Sequence, residues 1–158
     1  MSSAVLFGLI LIGANIAAPS DDLCERLEQF ERRVMEHKDQ PQWIEVYWDI
    51  DPDAIFSMAC KHRNTFATKD ICSWLPGHMS MEFAGRLPAR ISACYGLKGD
   101  RFAANRFPNK TVKYRSKLRN NLMLQTGKTK DGTRWMRLAV FPAGAKPQKL
   151  PKPTRYEK

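Results

Sequence analysis

Apolar residues that follow position 20 recur at helical spacing. Four of them succeed one another at steps of four, three and four residues: Leu23, Leu27, Phe30 and Val34. Residues at these steps lie on one face of an α-helix. The pattern therefore predicts an amphipathic helix over residues 22–38 whose apolar face lies in the core, and Pro41 follows its end.

The next segment alternates between two kinds of side chain. One set is apolar and the other is mixed: Ile44, Val46, Trp48 and Ile50 against Trp43, Glu45, Tyr47 and Asp49. A period of two places each set on its own face of a β-strand, so we predict a strand over residues 43–50 with one face in the core. The turn-forming residues 51–53 come next, and residues 54–60 are predicted to form a second strand.

The middle of the chain has weaker patterns. Residues 65–75 are predicted to form a short helix that is ended by Pro76 and Gly77. We predict a further strand over residues 90–95. Residues 96–109, which are rich in glycine, asparagine and basic side chains, are predicted to form a long loop.

The C-terminal half contains three strand-like runs separated by turn residues. The runs are residues 111–118, 122–129 and 133–141. Asp131-Gly132, between the last two, favours a type I′ hairpin turn in which both central residues take a positive φ. We therefore predict an antiparallel β-meander. With the earlier elements it gives an α+β fold, in which the N-terminal helix packs on a curved antiparallel sheet of about five strands.

The first 18 residues have the layout of a secretory signal. An apolar run at residues 4–12 precedes a stretch of small residues, and Pro19 follows. The run is shorter than the roughly 20 apolar residues of a membrane-spanning helix. We predict a signal peptide over residues 1–18, one domain over residues 19–141 and a basic, proline-rich, disordered tail over residues 142–158. A retained anchor or a cytosolic core segment is the alternative for the N-terminus.

All four cysteines follow the predicted signal. Exported proteins form disulfides, and four cysteines allow three pairings. On locality we expect Cys60 to pair with Cys72 across the short helix, and Cys24 with Cys94, which would tie the first helix to the sheet. A zinc site made of Cys60, His62 and Cys72 is the alternative use of two of these sulfurs.

Charge is distributed unevenly along the chain. The sequence has a net charge of +10. Residues 1–94 hold 9 basic and 13 acidic side chains, whereas residues 95–158 hold 17 basic and 3 acidic ones. A field of this strength attracts anions such as nucleic acid, anionic lipid or acidic proteins.

The sharpest functional feature is a run of alternating cations. By period two, one face of residues 111–119 carries Lys113, Arg115, Lys117 and Arg119, about 7 Å apart. The neighbouring strands and turns add Lys128, Lys130, Arg134 and Arg137. We predict that these eight residues form an anion-binding surface. The alternative is a solvated face whose charges protect an exposed sheet edge. Few aromatic residues accompany the cations, so base stacking has weak support.

The sequence patterns that suggest an enzyme or a metal site are less specific. Glu45 and Asp49 share a strand face and form a candidate carboxylate pair for glycan hydrolysis. Lys61-His62-Arg63 suggests acid–base cleavage of RNA, and His78-Met79-Ser80-Met81 suggests copper ligation. These spacings are unspecific, so we expect no cofactor and no resident metal.

The sequence therefore favours a non-enzymatic exported protein, periplasmic or secreted. We expect it to bind an anionic macromolecule or an acidic protein through a cationic sheet face, as an inhibitor or immunity-type protein does. A small envelope hydrolase that uses Glu45 and Asp49 is the alternative. Nucleic-acid binding in the cytosol requires an uncleaved N-terminus, and membrane contact is expected only transiently, through the signal or the tail.

Overall fold

The structure, a computed structural model, describes residues 22–36, 40–51, 53–54, 57–79, 86–97, 109–145 and 150–153. Its elements in chain order are α1 (Asp22–Val34), β1 (Gln42–Trp48), β2 (Met58–His62), α2 (Phe66–His78), α3 (Arg86–Cys94), β3 (Lys110–Arg115), β4 (Asn121–Lys128) and β5 (Arg134–Phe141). The strands form one antiparallel sheet in the order β2-β1-β5-β4-β3. The predicted α+β class is confirmed.

The core lies between the helices and one face of the sheet. The predicted apolar stripe of α1 is buried, since Leu23, Leu27, Phe30 and Val34 are at most 2% exposed. Opposite residues of neighbouring strands share this sheet face: Ile44 faces Leu138, and Leu138 faces Leu124. All three are fully buried. The apolar positions that alternate along β1, β4 and β5 therefore form the sheet face on which α1 packs.

Helix α2 passes the point where the sequence predicts its end. Thr65 caps it in a capping box with Thr68. Pro76 lies inside the last turn, where a proline removes only one helical hydrogen bond. His78 extends this turn, because its Nδ1 lies 2.8 Å from the Trp74 carbonyl oxygen and its ring stacks on that of Trp74 at 4.3 Å.

The strand predicted at residues 90–95 is wrong, because these residues belong to α3. Leu87 and Ile91, four residues apart, are 2% and 0% exposed, which is one buried helical face. Pro88 lies in the first turn, where a helix tolerates proline. The prediction failed because it began at Arg90 and so missed Leu87.

The second strand begins later than predicted. The chain leaves β1 through Asp49, whose φ is 62°, and the Asp49 amide donates to the Ser57 carbonyl oxygen at 2.9 Å. The Ser57 hydroxyl accepts from the Asp51 amide at 2.8 Å. These bonds place Ala54 in the β1–β2 connection, so β2 starts at Met58.

The turn between β4 and β5 also differs from the predicted type I′. The Thr129 amide donates to the Thr133 carbonyl oxygen, and the Gly132 amide to the Thr129 carbonyl oxygen. Of Asp131 and Gly132, only Gly132 has a positive φ, of 89°. This is a three-residue hairpin loop with its last residue in the left-handed region, rather than the two-residue turn.

Two disulfides join the elements in the pairing that locality predicts. Cys24 is bonded to Cys94, with their Cα atoms 5.2 Å apart, and Cys60 is bonded to Cys72, with theirs 5.4 Å apart. The first links α1 to α3 rather than to the sheet, and the second links β2 to α2. Their presence fits an oxidising environment.

Several predictions fall outside the described residues. These are the signal peptide, most of the 96–109 loop, the last two residues of the first predicted helix and much of the tail. Within the described ranges, no helix is both long and apolar enough to cross a membrane.

Candidate anion-binding surface

Strand β3 forms the outer edge of the sheet and carries the first two predicted cations. Lys113 and Arg115 are exposed. Val112, whose side chain belongs to the core, is 9% exposed. Tyr114 is half-buried and packs against Tyr95, with the ring centroids 4.8 Å apart and the ring planes tilted by 45°. The alternation therefore directs the apolar side chains to the helices and the cations to the other face of the sheet, where this edge is exposed.

The next two cations lie in a turn and not on the strand. The Ser116 amide donates to the Asn120 carbonyl oxygen, and the Arg119 amide to the Ser116 carbonyl oxygen, both at 3.0 Å. The prediction that all four cations share one strand face is therefore wrong for Lys117 and Arg119. Both are exposed in the hairpin loop, directly beyond the end of β3.

Arg119 occupies the position that Gly132 takes in the other hairpin. Its φ is 65°, in the left-handed region that costs a residue with a Cβ roughly 1–2 kcal/mol. The two hairpins have the same hydrogen-bond pattern. The β3–β4 loop thus presents a cation at a position where glycine is conformationally easier.

We call the exposed basic side chains of β3 and its turn the edge cluster: Lys113, Arg115, Lys117 and Arg119. Among the described residues, none of the four is in an ion pair. Arginines elsewhere behave differently, since Arg32 pairs with Glu28, and Arg33 pairs with Asp70 at 2.6 Å. The edge cluster is therefore a concentration of positive charge that forms no ion pair within the described ranges, while Glu28 and Glu31 line a cavity together with Arg115 and Lys117.

Lys128 and Lys130 lie at the opposite end of β4. Both are exposed. The eight residues of β4 separate them from the β3–β4 turn, which corresponds to about 24 Å along the strand. The structure does not bring them together with the edge cluster.

The last two predicted cations are neutralised by acidic side chains of β1 and its end, Arg134 at the surface and Arg137 in the interior. Arg134 makes a bidentate contact with Asp49, with Nε–Oδ2 at 2.5 Å and Nη2–Oδ1 at 2.8 Å. This hydrogen bonding raises the pKa of Arg134. Arg137 is 2% exposed and donates from Nε to Glu45 Oε1 at 2.6 Å. Arg137 is therefore not part of an anion-binding surface, because register places it opposite Glu45.

The Arg137 ion pair belongs to a buried polar cluster on the face of the sheet opposite the helical core. Tyr47 donates its hydroxyl to Glu45 Oε2 at 2.5 Å, and Arg137 lies 5.6 Å from the centre of the Trp43 ring. Burial raises the pKa of Tyr47, and its hydrogen bond to Glu45 raises it further. Glu45 accepts hydrogen bonds from both Tyr47 and Arg137, and a buried charge needs such partners.

These contacts bear on the proposed carboxylate pair. Glu45 is held by Arg137 and Tyr47, and Asp49 is held by Arg134. A retaining or inverting glycosidase needs two carboxyl groups that face one substrate. Here each group faces a different arginine, so the geometry gives no support to hydrolysis.

A second polar cluster, which the sequence patterns did not reveal, lies under the β3–β4 turn. Glu31 of α1 is 2% exposed and accepts a hydrogen bond from Asn120 Nδ2 at 3.3 Å. Burial raises the pKa of Tyr95 and of Tyr114, and the carboxylate of Glu31 raises both further. The apolar stripe that predicts the buried face of α1 does not include Glu31, so the sequence pattern gave no sign that Glu31 is buried.

A cavity adjoins this cluster. It has a volume of about 650 Å³ and lies between α1, α3 and the β3–β4 turn, and it is lined by Glu28 and Glu31 on one side and by Arg115 and Lys117 on another. A shallower groove of about 420 Å³ lies beside β3, lined by Lys113, Met123, Phe141 and Ala145 among others. The groove joins an apolar surface to the edge cluster.

The metal-binding hypotheses find no support within the described ranges. No group of three or more His, Cys, Asp or Glu side chains is placed to hold an ion there. Cys60 and Cys72 are bonded to each other, so they are not thiolate ligands for zinc. Met79 Sδ accepts a contact from Arg90 Nη1 at 3.4 Å, and Met81 lies outside the described residues.

Comparison of the chain with protein-family models, with curated proteins and with solved structures gives no match.

Proposed function

We propose that this chain is an exported, non-enzymatic binding protein that engages an anionic macromolecule or an acidic protein through the edge cluster. The observation that carries the proposal is the positive charge at one sheet edge: four exposed cations on β3 and its turn, none of them in an ion pair among the described residues. Cations arranged in this way attract acidic partners and speed their encounter. An inhibitor or immunity-type role fits such a surface.

Export is part of the proposal. The two disulfides, Cys24–Cys94 and Cys60–Cys72, support a periplasmic or secreted location, because such bonds persist in oxidising compartments. The layout of residues 1–18 supports the same location. Intact-mass measurement of the native protein, before and after reduction, tests both points. We expect a mass without residues 1–18, or nearly so, and a gain of four hydrogens on reduction.

Charge reversal tests the binding function. The variant Lys113→Glu/Arg115→Glu/Lys117→Glu should bind immobilised poly-L-glutamate about 10-fold or more weakly than the native chain. The control is Lys128→Glu/Lys130→Glu, which reverses two exposed charges at the other end of β4 and should lose much less affinity per reversed charge. Binding by the native chain should weaken steeply between about 50 and about 200 mM salt, since exposed charges are screened.

Two results would contradict the proposal. One is equal loss per reversed charge in the two variants, which would mean that net charge and not the edge cluster governs binding. The other is native-level binding by the triple variant, both to poly-L-glutamate and to duplex DNA. Retention of the two disulfides, measured by intact mass, shows that each variant still folds to the same covalent frame.

A further inference from the structure

The hydrogen-bond phase of β3 determines which backbone groups point away from the sheet. The Ser116 amide bonds to the Asn120 carbonyl oxygen, which fixes Ser116 and Asn120 as a hydrogen-bonded pair. Such pairs alternate along an antiparallel ladder. In the register of β3 with β4, Tyr114 and Val112 are then the residues that bond to β4.

The intervening residues turn their amides and carbonyls outwards. These residues are Thr111, Lys113 and Arg115, and all three side chains are exposed. Because β3 is the last strand in the sheet order, the outward groups meet no strand of this sheet. Two of these residues carry cations, spaced about 7 Å apart along the strand.

A strand edge that pairs with no other strand in the described ranges is a template for another strand. Its charge decides which strand it accepts. Lysines on an edge oppose pairing with neutral or basic strands. They favour a strand with acidic side chains at alternate positions, since opposite charges on directly facing residues stabilise a strand pair by about 0.2–1 kcal/mol. Main-chain hydrogen bonds supply the rest of the affinity in strand addition.

We propose that an extended acidic segment of a protein partner pairs with β3 as a sixth strand. Its backbone would bond to the outward amides and carbonyls of Thr111, Lys113 and Arg115, and its acidic side chains would face the two cations. This inference rests on the proposed function and names the partner as an acidic polypeptide in extended conformation.

The groove beside β3 adds specificity to this mode of binding. Met123 lies opposite Lys113 in the register of β3 with β4, and Phe141 lines the same groove. Both are half-buried. Met123 on β4 and Phe141 on β5 lie about 10 and about 14 Å from a strand added beyond β3. Only a long apolar side chain on the cation-facing side of the added strand would therefore reach the near end of this groove.

Alternate N-methylation of a peptide tests the inference. The probe is a short peptide in which glutamate alternates with threonine, together with two isomers that carry N-methyl groups on alternate residues in opposite phase. The isomers have the same composition and charge, and only one of them blocks the amides that face β3. We expect the affinity of one isomer to fall about 10-fold or more and that of the other to stay within about 3-fold of the parent peptide.

Hydrogen exchange of the full chain gives an independent readout. On addition of the parent peptide, the amides of Lys113 and Arg115 should gain protection, whereas those of Val112 and Tyr114, which already bond to β4, should change little. A purely electrostatic complex would not select alternate residues.

Each contrary outcome overturns the inference in a recognisable way. If both isomers bind as the parent does, and binding depends on the edge cluster, strand pairing is wrong and the proposed function stands. If duplex DNA is bound in preference to the peptide, the partner is a nucleic acid and strand pairing is again wrong. If neither probe binds the native chain, the inference and the proposed function fail together.

Discussion

The two edge strands of the sheet differ in what is attached to them. At one end, β2 is joined to α2 by the Cys60–Cys72 bond, and α2 packs against this strand. At the other end, β3 carries the edge cluster, with Lys113 and Arg115 exposed. Natural proteins protect sheet edges by covering them or by charging them. The β3 edge is of the charged kind, which stays open to a strand of opposite sign.

The contrast extends to the cations themselves. Arg134 and Arg137 of β5 have acidic partners on or next to β1, the first pair exposed and the second buried, and the cations of the edge cluster have none among the described residues. The paired arginines therefore belong to the stability of the sheet. The unpaired ones add little to stability and are available for binding.

The largest effect should come from breaking the buried pair. Arg137→Met leaves Glu45 buried without its cation, and we expect the free energy of unfolding to fall by about 3–5 kcal/mol. Lys113→Met, at the exposed edge, should change it by less than about 0.5 kcal/mol. Urea denaturation of both variants measures the difference. Similar losses in the two would remove the distinction between paired and unpaired cations.

Removing the Cys60–Cys72 bond should have the next largest effect. Cys60→Ala/Cys72→Ala removes a bond that spans 12 residues, for which chain entropy gives about 3 kcal/mol. Thermal unfolding followed by circular dichroism should show a lower Tm for this variant. The triple charge reversal in the edge cluster should leave Tm nearly unchanged. A large loss in the charge-reversed chain would show that the β3 edge is also structural.

Alkaline pH should destabilise the fold through phenols, one of them on the inner face of β3. Tyr47, Tyr95 and Tyr114 all have a pKa raised above the ordinary value of 10.0. Above that pH the unfolded chain releases phenol protons that the folded chain retains, so unfolding becomes easier. Each phenol contributes about 1.4 kcal/mol per pH unit there.

Urea denaturation at several pH values tests this expectation. The free energy of unfolding should be insensitive to these groups below pH 10 and should fall above it. Tyr114→Phe should make the fall shallower, whereas Lys113→Met should not. An unchanged slope in Tyr114→Phe would argue that this hydroxyl is not buried with β3 as described.

The smallest effect separates conformation from charge in the β3–β4 turn. Arg119→Gly relieves the left-handed φ of 65° and should raise the free energy of unfolding by about 0.5–1 kcal/mol. Gly132→Ala makes the reverse change in the equivalent loop and should lower the free energy of unfolding by about 1 kcal/mol. This loss would come from the backbone alone, because no atom lies within 4 Å of the added Cβ. Destabilisation by Arg119→Gly would show that its side chain, and not its backbone, governs the turn.

Local periodicity predicted the fold where one face of an element is strictly apolar. The stripe of α1 and the alternation of β1 are of this kind, because burial on one face imposes a period on the chain. Where the period is short or interrupted, the prediction failed. In α3, only Leu87 and Ile91 show helical spacing, which is a single step of four residues. In α2, Pro76 led to the prediction that the helix ends before its last turn.

The site was predicted less completely, because its contacts depend on register. Glu45 and Arg137 are 92 residues apart in sequence, and only the pairing of β1 with β5 brings them together. No local pattern distinguishes Arg137 from the exposed Lys113, since both alternate with apolar residues. Glu31 was missed for the same reason, because its partner Asn120 belongs to a distant hairpin.

The order of the disulfides along the chain has a consequence for how this protein can diversify. The Cys24–Cys94 bond encloses the Cys60–Cys72 bond, and β3, β4 and β5 all follow residue 94. The meander that bears the edge cluster is thus outside both covalent rings. A substitution of an exposed charge in the edge cluster therefore leaves all four cysteines, and both of the loops that the disulfides close, unaltered.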